Sequence, residues 1–248
     1  MAGLVLGCAN GHRFDANRRG FLTTLDGSKG ISGDPRELLE ARAAFLSRGH
    51  YQPIADAVAA ALPAASSLAV LDSGTGTGFY LADVLSRDST RTALAVDAST
   101  AAVAMSVAAR GSPGLVADVW QPSPVRDQRA DVILCVFAPR NAPEFARILR
   151  PGGALIVVTP GPRHLAQLRS AGLIIGMQAE KRERLDSALE GLFRLSARQE
   201  LAYDVELDTV AAELLTTMGP SGHHDVPGSW PGGGVTVDVD VSTFTKRD

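Results

Sequence analysis

The sequence contains few cysteines, few aromatic residues and no long apolar run. Cys8 and Cys135 are the only cysteines among 248 residues, so a disulfide framework is excluded and we expect a reducing, cytoplasmic environment. The longest apolar runs, such as 132–138, are far shorter than the roughly 20 residues that span a bilayer. No signal peptide is expected at the start. We therefore expect a protein with no membrane association.

An excess of positive charge is also absent. The formal net charge is −3, from 24 Lys and Arg against 27 Asp and Glu, which excludes a globally basic nucleic-acid binder. A nucleic-acid partner would need a local patch, and solvated helix faces have the same composition. Basic residues are concentrated in two segments of the chain. The N-terminal segment contains Arg13, Arg18, Arg19 and Lys29, and the later segment contains Arg163, Arg169, Lys181, Arg182 and Arg184.

Most of the chain alternates between short apolar runs and helical patterns. Residues 1–30 have no helical or strand periodicity and predict an irregular N-terminal segment, and 31–66 predict a helical linker. From 67 to 248 we expect one domain. The predicted strands are 68–71, 92–96, 114–117, 131–137 and 154–159, and the predicted helices between them are 78–87, 99–109 and 142–149. Apolar strands that alternate with helices predict an α/β fold with a doubly wound, Rossmann-like, mostly parallel sheet.

The C-terminal part has a different pattern. Residues 180–190 are strongly charged and predict an exposed helix or loop. Segments 197–206 and 234–244 alternate apolar and polar residues, which predicts antiparallel strands at one edge of the sheet. A helix is expected at 207–218, and a Gly- and Pro-rich loop at 219–234.

A glycine-rich turn follows the first predicted strand of the domain. Glycines occupy alternate positions, Gly74, Gly76 and Gly78, and the first of them lies two residues after Asp72. Glycines in this arrangement let the backbone turn tightly and approach a ligand closely. Asp97 ends the second strand, where a carboxylate binds ribose hydroxyls, and Asp118 follows the third, within reach of an adenine amino group. A dinucleotide fold uses a similar turn with the spacing G-x-G-x-x-G, and a purely structural turn is a further alternative.

The strand, acid and glycine pattern resembles class I S-adenosylmethionine (SAM) methyltransferases. Phe137-Ala138-Pro139-Arg140 after the fourth strand lacks the Pro-Pro-Tyr of enzymes that methylate exocyclic amines, which disfavours adenine-N6 chemistry. Pyrimidine carbon-5 chemistry needs a cysteine nucleophile. Cys135 lies within an apolar strand, so we expect it to be a buried, inert thiol.

Several longer strings resemble one family, the 23S rRNA guanine-N1 methyltransferases of the RlmA/TlrB type, one branch of which contributes to macrolide resistance in actinomycetes. The similarity runs from about Cys8 to the last strand. Its most specific parts are Gly49-His-Tyr-Gln-Pro53 and Thr159-Pro-Gly-Pro-Arg-His-Leu165. The other strings are Asp34-Pro-Arg-Glu-Leu38, Ala41-Arg-Ala-Ala-Phe-Leu46, Phe137-Ala-Pro139 and Arg150-Pro-Gly-Gly153.

The resemblance implies roles for individual residues. Gly76, Thr77, Tyr51 and His164 would line the SAM pocket, and the acceptor would be a guanine in a hairpin loop of 23S rRNA. Tyr51 could instead pack the linker on the domain, and His164 could be a surface residue at a helix start. Guanine N1 carries a proton, so a base would help. Asp118 and His164 are the candidates.

The resemblance also implies an N-terminal zinc ribbon, of which this chain matches the second half. Cys8-Ala-Asn-Gly-His12 supplies Cys8 and His12, two of the four ligands that structural zinc requires. The start could be assigned too late, His223 and His224 could supply ligands, or zinc could be lost. Because the ribbon is expected to help bind RNA, this departure affects RNA recognition as well.

Three other functions stay open at this point. They are a methyltransferase for a small molecule, a dehydrogenase and a non-catalytic SAM-binding protein. The oligomeric state is open too, with a homodimer as one alternative.

Overall fold

A computed structural model describes residues 5–7, 13–25, 33–174, 181–219 and 230–247. Ten strands and eight helices are found in these ranges. The strands are β1 (Val5–Gly7), β2 (Arg13–Asp15), β3 (Phe21–Thr23), β4 (Ala69–Ser73), β5 (Thr92–Asp97), β6 (Gly114–Val116), β7 (Ala130–Val136), β8 (Leu149–Pro160), β9 (Phe193–Leu207) and β10 (Gly233–Lys246). The helices are α1 (Arg36–Ser47), α2 (Gln52–Ala60), α3 (Phe79–Ser86), α4 (Thr100–Arg110), α5 (Ala142–Ile148), α6 (Ala166–Ser170), α7 (Lys181–Leu189) and α8 (Thr209–Thr217).

Eight of the strands form one sheet in the order β3-β6-β5-β4-β7-β8-β10-β9. All neighbours from β3 to β8 pair in parallel, and β10 pairs antiparallel with both β8 and β9. The predicted doubly wound sheet with an antiparallel edge is therefore confirmed. The chain passes from β6 at one side to β7 on the other side of β4. The carboxyl ends of β4 and β7 thus form the topological switch point, where such sheets bind ligands.

Apolar side chains cover the sheet on both faces. One face packs on α2, α3 and α8, with Ile54, Leu81 and Leu215 buried among strand residues such as Ile156. The opposite face packs on α5 and α7, where Phe145 and Leu189 are buried. Burial on both faces explains why the parallel strands have continuous apolar sequences rather than alternating ones.

Polar residues begin the helices that follow the strands. The side chain of Ser99 accepts a hydrogen bond from the backbone N–H of Ala102 at the start of α4. Asn141 accepts one from Glu144 at α5, and Asp208 accepts one from Ala211 at α8. Each cap satisfies a helix N–H that has no partner within its helix, so these helices begin directly beyond the strand ends.

The N-terminal segment departs from its prediction. The irregular conformation expected for 1–30 is wrong at three short strands, β1, β2 and β3. Strand β3 pairs in parallel with β6 and forms an edge of the main sheet. Phe21 is buried against Val103, Val107 and Val116, which stabilises this short strand. Strands β1 and β2 form a separate antiparallel pair. The division at residues 30 and 66 stays a prediction.

The strand predicted at 154–159 begins earlier in the structure, because β8 starts at Leu149 and includes Pro151-Gly-Gly153. The register between β7 and β8 shifts between Ala130 and Val132, so the extra residues form an irregularity of the strand. No described helix is long and apolar enough to cross a membrane.

Candidate functional site

The loop between β4 and α3 has a conformation that requires glycine. Gly74, Gly76 and Gly78 have φ angles of 77°, 52° and 79°, in the left-handed region that other residues rarely adopt. The backbone N–H groups of Gly74 and Thr75 both donate to the carbonyl of Val96, over 2.8 and 3.0 Å. The loop is therefore fixed to the end of β5, next to Asp97. Thr77 is half-buried in the same loop.

The three glycines have different neighbours. A Cβ atom on Gly74 would lie 2.4 Å from Cβ of Ala138, and one on Gly78 would lie 2.7 Å from Cα of Ser106. These two positions need glycine because of contacts within the protein. At Gly76 the nearest atom is Nη1 of Arg42, at 3.2 Å, which is the end of a flexible side chain. Of the three glycines, Gly76 is the one whose nearest neighbour is a charged side-chain end.

Asp97 connects the glycine loop to the start of α4. Its Oδ2 accepts a hydrogen bond from the backbone N–H of Gly76, and its Oδ1 accepts one from the backbone N–H of Ser99, both over 2.9 Å. Burial raises the pKa of this carboxyl group, while the two backbone hydrogen bonds oppose the rise. Because each oxygen can accept a second hydrogen bond, the half-buried carboxylate can still bind two hydroxyl groups.

Asp72 lies at the end of β4, beneath the glycine loop. Its side chain is 3% exposed. Burial raises the pKa of Asp72 to about 7, and the neighbouring charge of Asp97 adds to the rise, whereas a hydrogen bond with Thr75 opposes it. This carboxyl group therefore changes charge near neutral pH. A cationic ligand above it would favour the charged form.

The structure separates the two residues considered as a base. Asp118 follows β6 and accepts a hydrogen bond from the backbone N–H of Trp120, whereas His164 follows β8. Strands β5, β4 and β7 lie between β6 and β8, which corresponds to about 19 Å at the usual strand spacing. Asp118 shares the side of the crevice with Asp97, where an adenosine would be held, and His164 lies on the other side.

Tyr51, Phe137 and His164 form an aromatic cluster at the carboxyl ends of β7 and β8. The ring of Phe137 is stacked on that of His164 with centroids 6.1 Å apart, and Tyr51 lies 6.4 Å from Phe137. Tyr51 is 3% exposed and Phe137 is 41% exposed. Phe137 also has a φ of 54°, a strained conformation that occurs preferentially at functional sites. In this cluster the ring of Phe137 is exposed to solvent, while Tyr51 and His164 beneath it are buried.

His164 has hydrogen-bond partners on both ring nitrogens. Its Nδ1 accepts from the backbone N–H of Asp238 over 3.2 Å, and its Nε2 lies 3.4 Å from the hydroxyl of Tyr51. A neutral imidazole with Nδ1 as acceptor carries its proton on Nε2, so Nε2 donates to the Tyr51 oxygen. In this state neither nitrogen has a free lone pair for a further proton, which favours a positioning role for His164.

Sequence reasoning missed two residues of the crevice. Nη1 of Arg42, on α1, lies 3.2 Å from where a Cβ of Gly76 would be, and the charge of Arg42 lowers the pKa of Asp97. Tyr80, in the first turn of α3, interacts electrostatically with Arg42, Asp72 and Tyr51, and burial raises its pKa. Arg42 lies within one of the strings that carry the family resemblance. The residues around its side chain in the structure are distant in sequence, so the sequence alone does not place Arg42 in the site.

Cys135 is fully buried in β7, as expected. Burial raises the pKa of its thiol to about 12, so the thiolate that a nucleophile requires is not populated near neutral pH. Its sulfur lies 3.4 Å from the carbonyl oxygens of Ala138 and Pro139, within the protein. This environment disfavours pyrimidine carbon-5 chemistry.

The proposed zinc ligands Cys8 and His12 lie outside the described residues, as do His223 and His224. Across the residues the structure does describe, no group of three or more His, Cys, Asp or Glu side chains could hold a metal ion.

Of the basic residues that the sequence suggests for a nucleic-acid patch, Arg18, Arg19 and Arg163 are exposed. Arg169 instead donates to the carbonyls of Pro162 and His164 and closes the turn before α6.

Comparisons with known proteins agree with this architecture. The model of a family described as a methyltransferase domain matches residues 71–157. The solved structure of a geranyl diphosphate methyltransferase has the same fold, with a TM-score of 0.52 and 14% sequence identity. The match covers 79% of this chain and 78% of the chain in that structure.

Two relatives are much more similar in sequence. A 23S rRNA (guanine(748)-N(1))-methyltransferase of Streptomyces fradiae is 40% identical over 230 residues, which cover 90% of this chain and 81% of the relative. A Micromonospora griseorubida protein is 36% identical over 240 residues, with the same two coverages. The chain therefore belongs to the family of 23S rRNA guanine-N1 methyltransferases.

Proposed function

We propose that this protein transfers a methyl group from SAM to N1 of a guanine in a hairpin loop of 23S rRNA. The observation that carries the proposal is the aromatic cluster of Tyr51, Phe137 and His164 beside the glycine loop. Ala138, the neighbour of Phe137, approaches Gly74 so closely that a Cβ there would overlap it. The exposed ring of Phe137 is therefore held next to the loop that would bind SAM.

The residues of the crevice fit SAM. Asp97 has free acceptor positions for the ribose hydroxyls, Asp118 lies on the same side for the adenine amino group, and Gly76 and Thr77 border the loop. Gly74 and Gly78 shape that loop, and Asp72 beneath it favours a cationic ligand. SAM supplies a methyl group on a positively charged sulfur, ready for displacement by a nucleophile. Tyr51 and His164 fix the wall on the acceptor side.

Phe137 gives the acceptor side a surface for one unstacked base. A half-exposed aromatic ring can stack on a purine, and bases in RNA hairpin loops can be splayed out and bound singly. Stacking orients the base edge relative to the methyl donor, and orientation supplies a large part of the acceleration of a displacement reaction. Arg163, exposed beside His164, is suitably placed for an RNA phosphate.

The direct test is incubation with labelled SAM and 23S rRNA that lacks the modification, followed by digestion to nucleosides and mass spectrometry. We expect label in N1-methylguanosine only. Label in small metabolites but not in RNA would contradict the proposal in favour of a small-molecule methyltransferase. Binding of SAM without any transfer would indicate a non-catalytic protein, and binding of NAD instead of SAM would indicate a dehydrogenase.

A further inference from the structure

Arg42 is held over the glycine loop by two parts of the chain that are far apart in sequence. Its Nη2 lies 2.7 Å from a carboxylate oxygen of Asp34 and donates to the backbone carbonyl of Met218 over 3.0 Å. Asp34 precedes α1, and Met218 follows α8. These contacts fix the guanidinium group in one place.

The rest of the guanidinium group faces the loop. Its Nη1 lies 3.2 Å from the position of a Cβ on Gly76. Within the described part of the chain, neither Nε nor Nη1 has a hydrogen-bond partner, although arginine has five N–H donors. The side chain is 26% exposed, so these donors are not enclosed by protein. A ligand lying on Gly76 would meet them.

Arg42 also lies close to the carboxylate that would hold the ribose. The backbone N–H of Gly76 donates to Asp97 over 2.9 Å, so Nη1 of Arg42 is within about 9 Å of that carboxylate, given the covalent geometry of glycine. The charge of Arg42 lowers the pKa of Asp97, as expected at such a separation. A single small molecule can therefore contact both residues.

We infer that Arg42 binds the carboxylate of the methionine part of SAM. This inference rests on the proposed binding of SAM. The carboxylate is the one anionic group of SAM, and a guanidinium group with free N–H donors matches it in charge and geometry. Arg42 thus connects α1 to the cofactor and selects ligands that carry an amino-acid tail.

The test compares two ligands that share the adenosine and the sulfur. S-adenosylhomocysteine (SAH) carries the amino-acid tail, and 5′-methylthioadenosine lacks it. We expect Arg42→Met to weaken SAH binding by about ten- to hundredfold, the size of a lost charge-assisted hydrogen bond, and to change methylthioadenosine binding less than about twofold. Isothermal titration calorimetry measures both affinities.

Arg48→Met is the matched control. Arg48 follows the same helix, and its Nη1 donates to both carboxylate oxygens of Asp208 at the start of α8, so its loss also weakens the contact between α1 and α8. This variant should bind both ligands as the wild type does.

Other outcomes would overturn the inference. Equal weakening of both ligands by Arg42→Met would show that Arg42 only supports the fold of the pocket. Unchanged SAH affinity with a higher KM for RNA would assign Arg42 to a phosphate of the RNA. If the wild-type protein bound neither ligand, the proposed function itself would fail, and this inference with it.

Discussion

The hydroxyl of Tyr51 lies 3.4 Å from Nε2 of His164, although 113 residues separate them in the chain. Tyr51 comes from the turn between α1 and α2, and His164 from the segment after β8. Together they join the turn between α1 and α2 to the carboxyl edge of the sheet. The backbone N–H of Asp238 occupies the other ring nitrogen, so this contact sets the orientation of Tyr51 rather than providing a base.

Substitutions at His164 test this positioning role. Gln can place a donor where Nε2 lies and so keep the contact with Tyr51, whereas Asn can accept from the N–H of Asp238 but does not reach Tyr51. We expect His164→Gln to retain more methyl transfer than His164→Asn. Neither should remove an ionisation from the pH profile of kcat. Loss of the same ionisation in both variants would instead identify His164 as the base.

Gly76→Ala tests the contact between the loop and the cofactor. An alanine in the left-handed conformation costs about 1–2 kcal/mol of stability, and its Cβ would push against Arg42. We expect SAH affinity to fall at least about tenfold. Gly49→Ala is the control, since Gly49 has a φ of 81° but nothing lies within 4 Å of a Cβ there. It should lose similar stability and keep its SAH affinity, and similar loss of affinity in both variants would refute the role of Gly76.

Phe137→Ala tests base stacking. Stacking of one base on an aromatic ring is worth about 1–3 kcal/mol, so kcat/KM for RNA should fall roughly ten- to hundredfold while SAH affinity stays unchanged. Leu195→Ala is the control, because Leu195 on β9 is exposed to the same extent, 41%. An unaltered kcat/KM in the Phe137 variant would show that the acceptor base binds elsewhere.

The pKa of Asp72 predicts a pH dependence of stability. The carboxyl group is protonated in the folded protein up to about pH 7, whereas the unfolded chain loses this proton near pH 4. The folded state therefore loses stability as the pH rises through this window. From pH 5 to pH 8, the unfolding free energy of Asp72→Asn should rise relative to the wild type by roughly 2–4 kcal/mol.

Urea denaturation at the two pH values measures this change. Glu213→Gln, at an exposed position of α8, serves as the control and should show no such shift. A constant difference between Asp72→Asn and the wild type at both pH values would mean that Asp72 is ionised throughout the range.

The central part of the fold could be predicted from the sequence because its strands are buried on both faces. Continuous apolar runs such as that of β7, each followed by a turn and a helix, predict a parallel sheet without any tertiary information. Strand β3 could not be predicted, since Phe21–Thr23 is only three residues long and owes its conformation to pairing with β6. The Gly-Gly pair predicts a turn, and Gly152 does have a φ of 70°, but these glycines lie between Leu149 and Ala154, which both pair with β7, so the turn is an irregularity within β8.

The candidate site could be predicted only where its residues lie in short local patterns. Gly76 and Asp97 belong to strand ends and turns, so their roles could be proposed from spacing. Arg42 could not be found in this way, because its contact with Met218 spans 176 residues and depends on how α1 packs on α8. Nor does the sequence distinguish Gly76 from Gly78, whose different neighbours come from tertiary packing.

The most direct test of the central claim is primer extension by reverse transcriptase on 23S rRNA after incubation with the protein and SAM. A methyl group on N1 of guanine blocks Watson–Crick pairing, so extension should stop at one guanine of a hairpin loop. The stop should require SAM and should be strongly reduced with Phe137→Ala. Full-length extension from RNA treated with a wild-type protein that binds SAM would contradict the account.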